Sequence, residues 1–202
     1  MENDGKMENG CSHGLLCHQN SVMNSVSYKI GRLLVDPGDE WGGFQDVSAV
    51  LLTHGHYDHI YGLNRVLELN PEAIVITNTS GAQMLADSRL NLSKYHDEPF
   101  EFRYPDSIRI VKEGDKLEID EKTVEVYETP GHHPSCLTYI VNSEVFSGDS
   151  YIPGIKTVTN LPGGSAELAQ KSRVRIVKLA EGKGLNPGHP RLKLLSADRR
   201  PI

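Results

Sequence analysis

The sequence predicts a single α+β domain in which two stacked β-sheets carry helices on their outer sides. Three observations predict it. The chain has 202 residues, 38% apolar and 24% charged, which suits one hydrophobic core rather than two. Its first half alternates short β-branched apolar runs with segments of helical spacing, a βαβα order. From Ser107 onward the apolar period drops to two, and the second half reads as a β-meander. No apolar run approaches the roughly 20 residues of a membrane span. Met1 to Gly10 has no apolar segment behind a basic start, so no secretory signal is expected.

Residues 1–20, dominated by Asn, Gly, Glu and Ser, are expected to form a loose leader to a single domain spanning 21–202. Its Cys11, His13, Cys17 and His18 lack the second half of a zinc-finger spacing. Ser25 to Ile30 and Arg32 to Val35 read as two strands turning at Gly31 and stopping at Asp36-Pro37-Gly38. The Gly-rich stretch up to Val47, which contains Trp41 and Phe44, has no room for a long helix. The first sheet is therefore expected to be thinly covered there, a ground for self-association as a homodimer. Val47 to Leu52 is a buried strand leading into Thr53–His59, and Ile60, Leu63, Val66 and Leu67 then follow helical spacing until Asn70-Pro71. Ala73 to Thr77 gives another strand and Ser80 to Arg89 a short helix. The meander takes in Ile108, Ile110, Leu117, Ile119, Val124, Val126, Leu137 to Val141 and Val145-Phe146. After Asp149 a Pro- and Gly-rich loop runs to Gly164, and a helix follows from Ser165 as N-cap to about Glu181, ended by Gly182. Leu185 and the turn Asn186–Pro190 close the domain.

Charge is uneven. The net value is −6, but residues 165–202 carry +6 and the remainder −12. A basic last helix, with Lys171, Arg173, Arg175 and Lys178, suits either a solvated face or a rim that draws in an anionic small-molecule substrate. An acidic chain announces no nucleic-acid partner. Three cysteines are an odd, sparse set, which argues against a disulfide framework and for a cytoplasmic setting.

The histidines carry the chemistry. Six of nine, His54, His56, His59, His132, His133 and His189, sit in short Gly- or Pro-flanked segments. Imidazole nitrogen with carboxylate oxygen is the donor set that zinc, iron and similar divalent metals favour. His54-x-His56-x-Asp58-His59 supplies four such groups within six residues, an arrangement expected by chance on the order of once in a thousand such chains. Gly55 is expected to let the backbone turn so that His54 and His56 converge, while Asp58 and His59 face a second position. Further donors wait at strand ends: His132 in Thr129-Pro130-Gly131-His132-His133, Asp149 in Ser147-Gly148-Asp149, and His189 in Asn186-Pro187-Gly188-His189. His133, next to a donor, is expected to face away, and Cys136 to be a small buried residue. Asp36 suits the orientation of an imidazole through its second nitrogen. Tyr57 suits either packing or the cleft wall, and His13, His18 and His96 show no partner pattern.

In this order the four motifs resemble the metallo-β-lactamase fold superfamily, and within it the glyoxalase II-like hydrolases. The resemblance covers about residues 22–190. It implies a four-layer αββα sandwich of two mixed sheets with metals in a cleft at one edge. It implies His54, His56 and His132 on one metal, Asp58, His59 and His189 on a second, and Asp149 bridging. The implied cofactors are two divalent metal ions, zinc foremost, with iron or manganese as alternatives. Between two cations the pKa of water falls toward neutrality, so the expected nucleophile is a metal-bound hydroxide, with Asp58 and Asp149 as catalytic carboxylates. The expected reaction is hydrolysis of a small thioester, lactone or related ester. Only 13 residues follow His189, where glyoxalase II proper has a helical domain that helps hold glutathione, so a different substrate is expected. A mononuclear iron persulfide dioxygenase using His54, His132 and Asp149 is the alternative, with a phosphodiesterase behind it.

Overall fold

The computed structural model describes residues 14–39, 41–96 and 98–191. One sheet is built from β1 (Leu15–Gln19), β2 (Val26–Ile30), β3 (Leu33–Val35), β4 (Ala49–Leu51), β5 (Ile74–Thr77) and β6 (Ile108–Ile110), side by side in chain order. β1, β2 and β3 pair antiparallel, and β3 through β6 parallel. The other sheet holds β7 (Lys116–Ile119), β8 (Lys122–Glu128), β9 (Leu137–Val141), β10 (Glu144–Gly148) and β11 (Gly184–Pro187), in the order β11-β10-β9-β8-β7. Only its β10–β11 pair is parallel. Both sheets are therefore mixed, as the sandwich requires.

The alternation that predicted strands now divides two cores. Leu33, Val35, Ala49, Leu51 and Ile76 point into the space between the sheets, where they meet Val124, Val126, Leu137, Tyr139 and Phe146. Leu34, Val50, Leu52 and Val75 point the other way, onto Leu63, Val66 and Leu67 of α1 (Leu63–Leu69) and Leu85 of α2 (Thr79–Ala86). A strand buried on both faces reads as a continuous apolar run, which is why β4 showed no alternation in sequence. On the far side α3 (Ala166–Leu179) lies along β8, with Ser172 Oγ donating to Pro130 O and Arg175 over the Tyr127 ring. The Ser165 side chain caps it by accepting from Leu168 N at 3.3 Å.

Four expectations are corrected. Leu15–Gln19 is not leader but the edge strand β1, in register from Leu15↔Ile30 to Gln19↔Val26. The polar average of 1–20 hid Leu15, which is buried in the inter-sheet core. Residues 1–13, including Cys11 and His13, lie outside the described residues. Ile108 and Ile110 do not open the meander, because β6 pairs parallel with β5 and completes the first sheet. A period of two identifies a strand, not the sheet it joins. The thin stretch before Val47 covers its sheet after all: Phe44, on a 3-10 turn at Gly42–Phe44, is 1% exposed, in the apolar cluster on that sheet's outer face. The stretch expected to leave that face thinly covered thus fills it with the Phe44 ring. Lastly, Cys17 is disulfide-bonded, where the odd, sparse cysteine count argued against a disulfide framework. Cys136 is a buried free thiol, as expected. Among the described residues no helix is long and apolar enough to cross a membrane.

Candidate metal centre

Each candidate donor follows the carboxyl end of a strand, and the topology brings those ends to one edge of the sandwich. Asp36 follows β3, the His54–His59 turn follows β4, His132 follows β8, Asp149 follows β10 and His189 follows β11. His54, His56 and His132 offer ring nitrogens within 4.8 Å of one another, and so do the donor atoms of Asp58, His59 and His189. Asp149 lies between the two groups. One of its oxygens is 3.7 Å from His132 Nε2 and 3.4 Å from His189 Nε2, and the other is 3.6 Å from His59 Nε2. All seven predicted donors are therefore in one cleft. His133 is not among the donors but does not turn away from them either: its Nδ1 accepts from Ser135 N at 3.0 Å while its ring packs against that of His56, with centroids 5.6 Å apart.

Hydrogen bonds behind the rings decide which nitrogens face the cleft. The carbonyl of Val158 can only accept, so His132 Nδ1, 2.9 Å away, carries the proton and Nε2 faces the cleft, 2.9 Å from His56 Nδ1. Asp36 sets two more rings. Its carboxylate accepts from Thr53 N at 2.7 Å and from the Thr53 hydroxyl, and it pairs with His59 Nδ1 at 3.1 Å. The Thr53 oxygen in turn lies 3.2 Å from His54 Nδ1, so one carboxylate orients His59 directly and His54 through a hydroxyl. Asp36 does this from the left-handed region, at φ +48°, a strained conformation kept where surroundings over-determine it. Sequence reasoning foresaw Asp36 as an orienting group but missed Thr53 and Val158, the latter because nothing in a loop sequence announces a backbone acceptor. His18 and His96, which showed no pattern, do have partners: His18 bonds Asp39 and stacks on Trp41, and His96 packs against Tyr57 with ring centroids 3.9 Å apart. Tyr57 is buried, so packing is its observed role.

Close backbone approach is built in at two glycines. A Cβ on Gly188 would fall 2.3 Å from Asp149 Oδ1 and 2.8 Å from His59 Cε1. At Gly55 the reason differs from the one expected: its φ is not in the left-handed region, but a Cβ there would meet Met84 Cβ at 2.6 Å. Gly55 lets the donor turn lie against α2.

The donor set fits a pair of cations. His54 Nε2, His59 Nε2 and Asp149 Oδ1 are buried without a hydrogen-bond partner, and such orphans are rare unless another group claims them. Burial and the neighbouring imidazoles hold His54 well below its ordinary range, and burial and His132 push His56 down to about 3. On the other side burial works against charge, yet the carboxylates of Asp58 and Asp149 prevail and raise His59 to about 9. His189 rises to about 10 against its burial, through its bonds to Asp149 and Asp58. Burial would raise both Asp58 and Asp149, but the neighbouring histidines hold both below the usual carboxylate range. Without metal, protons on His59 and His189 balance the two carboxylates; cations there would replace them.

A family model described as the metallo-beta-lactamase superfamily matches residues 30–189. The chain belongs to the metallo-β-lactamase superfamily. This is a superfamily of hydrolases and related enzymes that bind divalent metals. Within it the chain is 29% identical over 129 residues to a hydroxyacylglutathione hydrolase of Hydrogenovibrio crunogenus, a match covering 60% of this chain and 40% of that enzyme. It is 31% identical over 168 residues to the probable metallo-hydrolase YqgX of Bacillus subtilis, covering 78% of this chain and 79% of the relative. The chain spans well under two thirds of the first of these. Its fold matches the crystal structure of TTHA1623 in a di-iron-bound form, with a TM-score of 0.72 and 22% identity over 87% of this chain and 92% of that one.

Proposed function

We propose that this superfamily member hydrolyses a small thioester, lactone or related ester at a site for two divalent metal ions. The observation that carries the reading is the place of Asp149, within 3.7 Å of donors in both groups, His132 on one side and His59 and His189 on the other. His54, His56 and His132 would hold one cation, Asp58, His59 and His189 the other, with Asp149 shared. Two cations held so supply Lewis acidity, lowering the pKa of water and polarising a carbonyl.

The remaining work falls to the chain. Asp36, Thr53 and Val158 O hold His54, His59 and His132 through Nδ1, so that each turns its Nε2 toward the cleft, free to bind a cation once any proton there is displaced. Asp58 Oδ2, 3.4 Å from His59 Nε2 and 3.3 Å from His189 Nε2, stays ionised at neutral pH and can accept a proton given up by water. Asp149 keeps its negative charge in the same way and offsets the positive charge brought into the cleft. Zinc is the proposed metal on the strength of the imidazole-rich set. The fold does not choose the substrate; two complete donor groups favour hydrolysis over a one-iron oxygenase, which needs only His54, His132 and Asp149.

An oxygen electrode separates the two. The purified protein should turn over simple thioester or lactone substrates equally well under argon and in air. Persulfide-dependent oxygen uptake with one iron per chain would overturn hydrolysis in favour of the oxygenase.

A further inference from the structure

Behind the loop that supplies Val158 lies a second cavity, of about 350 Å³, between that loop and α3. None of the seven donors lines it, and none of its lining residues is acidic. One wall is a single face of α3, where Ala166, Ala169, Gln170 and Arg173 follow helical spacing. The other is Tyr151, Lys156, Thr157 and their neighbours on the loop. The Arg173 guanidinium lies 5.8 Å from the centre of the Tyr151 ring. Among the described residues neither Lys156 nor Arg173 has an ion-pair partner, whereas Lys171 is paired with Glu167 and Arg175 with Glu113. An acidic chain has thus left two cations facing one cavity with no carboxylate between them.

We propose that this cavity is a binding site for a phosphate group, borne by a small molecule or free. The guanidinium offers the planar fork that suits phosphate oxygens, and the ammonium adds a point charge. The volume falls within the roughly 300–1,000 Å³ range of small-molecule sites, which leaves room beside the phosphate for a small organic part along Tyr151. The site also borders the metal cleft through the chain. Val158, whose carbonyl orients His132, sits between the lining residues Thr157 and Thr159, and Thr157 Oγ1 donates to Ser150 O next to Asp149. An occupant would therefore grip the segment that orients His132 and is tied to the residue after Asp149.

The test is calorimetric titration of inorganic phosphate into chelator-treated full-length protein, so that no metal in the cleft receives the anion. Wild type should take up one phosphate per chain. Lys156→Gln and Arg173→Gln should each weaken it by about tenfold or more, as loss of one charge-assisted contact implies. Lys171→Gln, on the same helix but outside the cavity, should leave it unchanged. Uptake equally strong in the Lys156→Gln/Arg173→Gln double variant, uptake weakened just as much by Lys171→Gln, or no saturable uptake below about 10 mM would each overturn the proposal. The result does not depend on which metal the cleft holds or which ester it hydrolyses.

Discussion

At the scale of single residues the cleft depends on groups that hold the donor rings from behind. Asp36→Ala removes the acceptor shared by Thr53 and His59, and loss of such an orienting partner typically weakens metal binding 10- to 100-fold. Competition with a chelator should show that loss, and Asp36→Asn, which tolerates the left-handed backbone and keeps one acceptor oxygen, should recover part of it. Gly188→Ala should displace Asp149 and His59 together, since its Cβ would fall on both. Metal content and turnover should then drop while the far-ultraviolet circular dichroism spectrum stays unchanged. The seven candidate donors could be read from sequence because each motif is local: His54, His56, Asp58 and His59 lie within six residues, and His132, Asp149 and His189 each sit in a Gly-containing turn. Asp36 was readable only as a strand-ending residue, and the Val158 carbonyl was not readable at all, because a backbone acceptor has no residue type.

At the scale of elements, β-strands were easier to find than to place. β6 was recognised by its alternation but joined to the wrong sheet, because its partner β5 lies some thirty residues earlier and parallel pairing leaves no hairpin signal. β1 was lost in a polar average although Leu15 is buried. The turn at Gly42–Phe44 shows how a single aromatic replaces a helix: Phe44 seals the outer face of the first sheet against α1. Phe44→Ala should cost about 3–5 kcal/mol of stability, read from denaturant unfolding, and should expose part of that apolar face. The basic character of α3 was visible in composition, but its use was not. Arg175 is committed to Glu113 and the Glu128 carbonyl, and Lys171 to Glu167, whereas Arg173 lines the cavity beside Tyr151.

For the molecule as a whole, charge in the metal-free cleft links stability to pH in two opposite ways. His59 and His189 have pKa values raised to about 9 and about 10, above the roughly 6.5 of an unfolded chain. Their contribution is complete below that value and is lost as pH rises through about 9 to 10. His56, depressed to about 3, acts in reverse: the unfolded chain takes up a proton as pH falls below about 6.5 while the folded one does not, so stability is lost toward acid. The Tm of chelator-treated protein should therefore peak near pH 6.5 and fall on both sides. With the cations in place the alkaline fall should disappear, since His59 and His189 no longer hold protons. The same displacement means that metal loading at neutral pH releases protons, measurable by calorimetry in buffers of different ionisation enthalpy. The proposed pair of cations depends on Asp149 serving both halves of the cleft. Elemental analysis of wild type and Asp149→Ala, purified side by side without added metal, tests it most directly. Two metals per chain in the wild type and a loss of at least one in Asp149→Ala are expected; a single metal in the wild type, or two retained by the variant, would contradict a shared two-metal site.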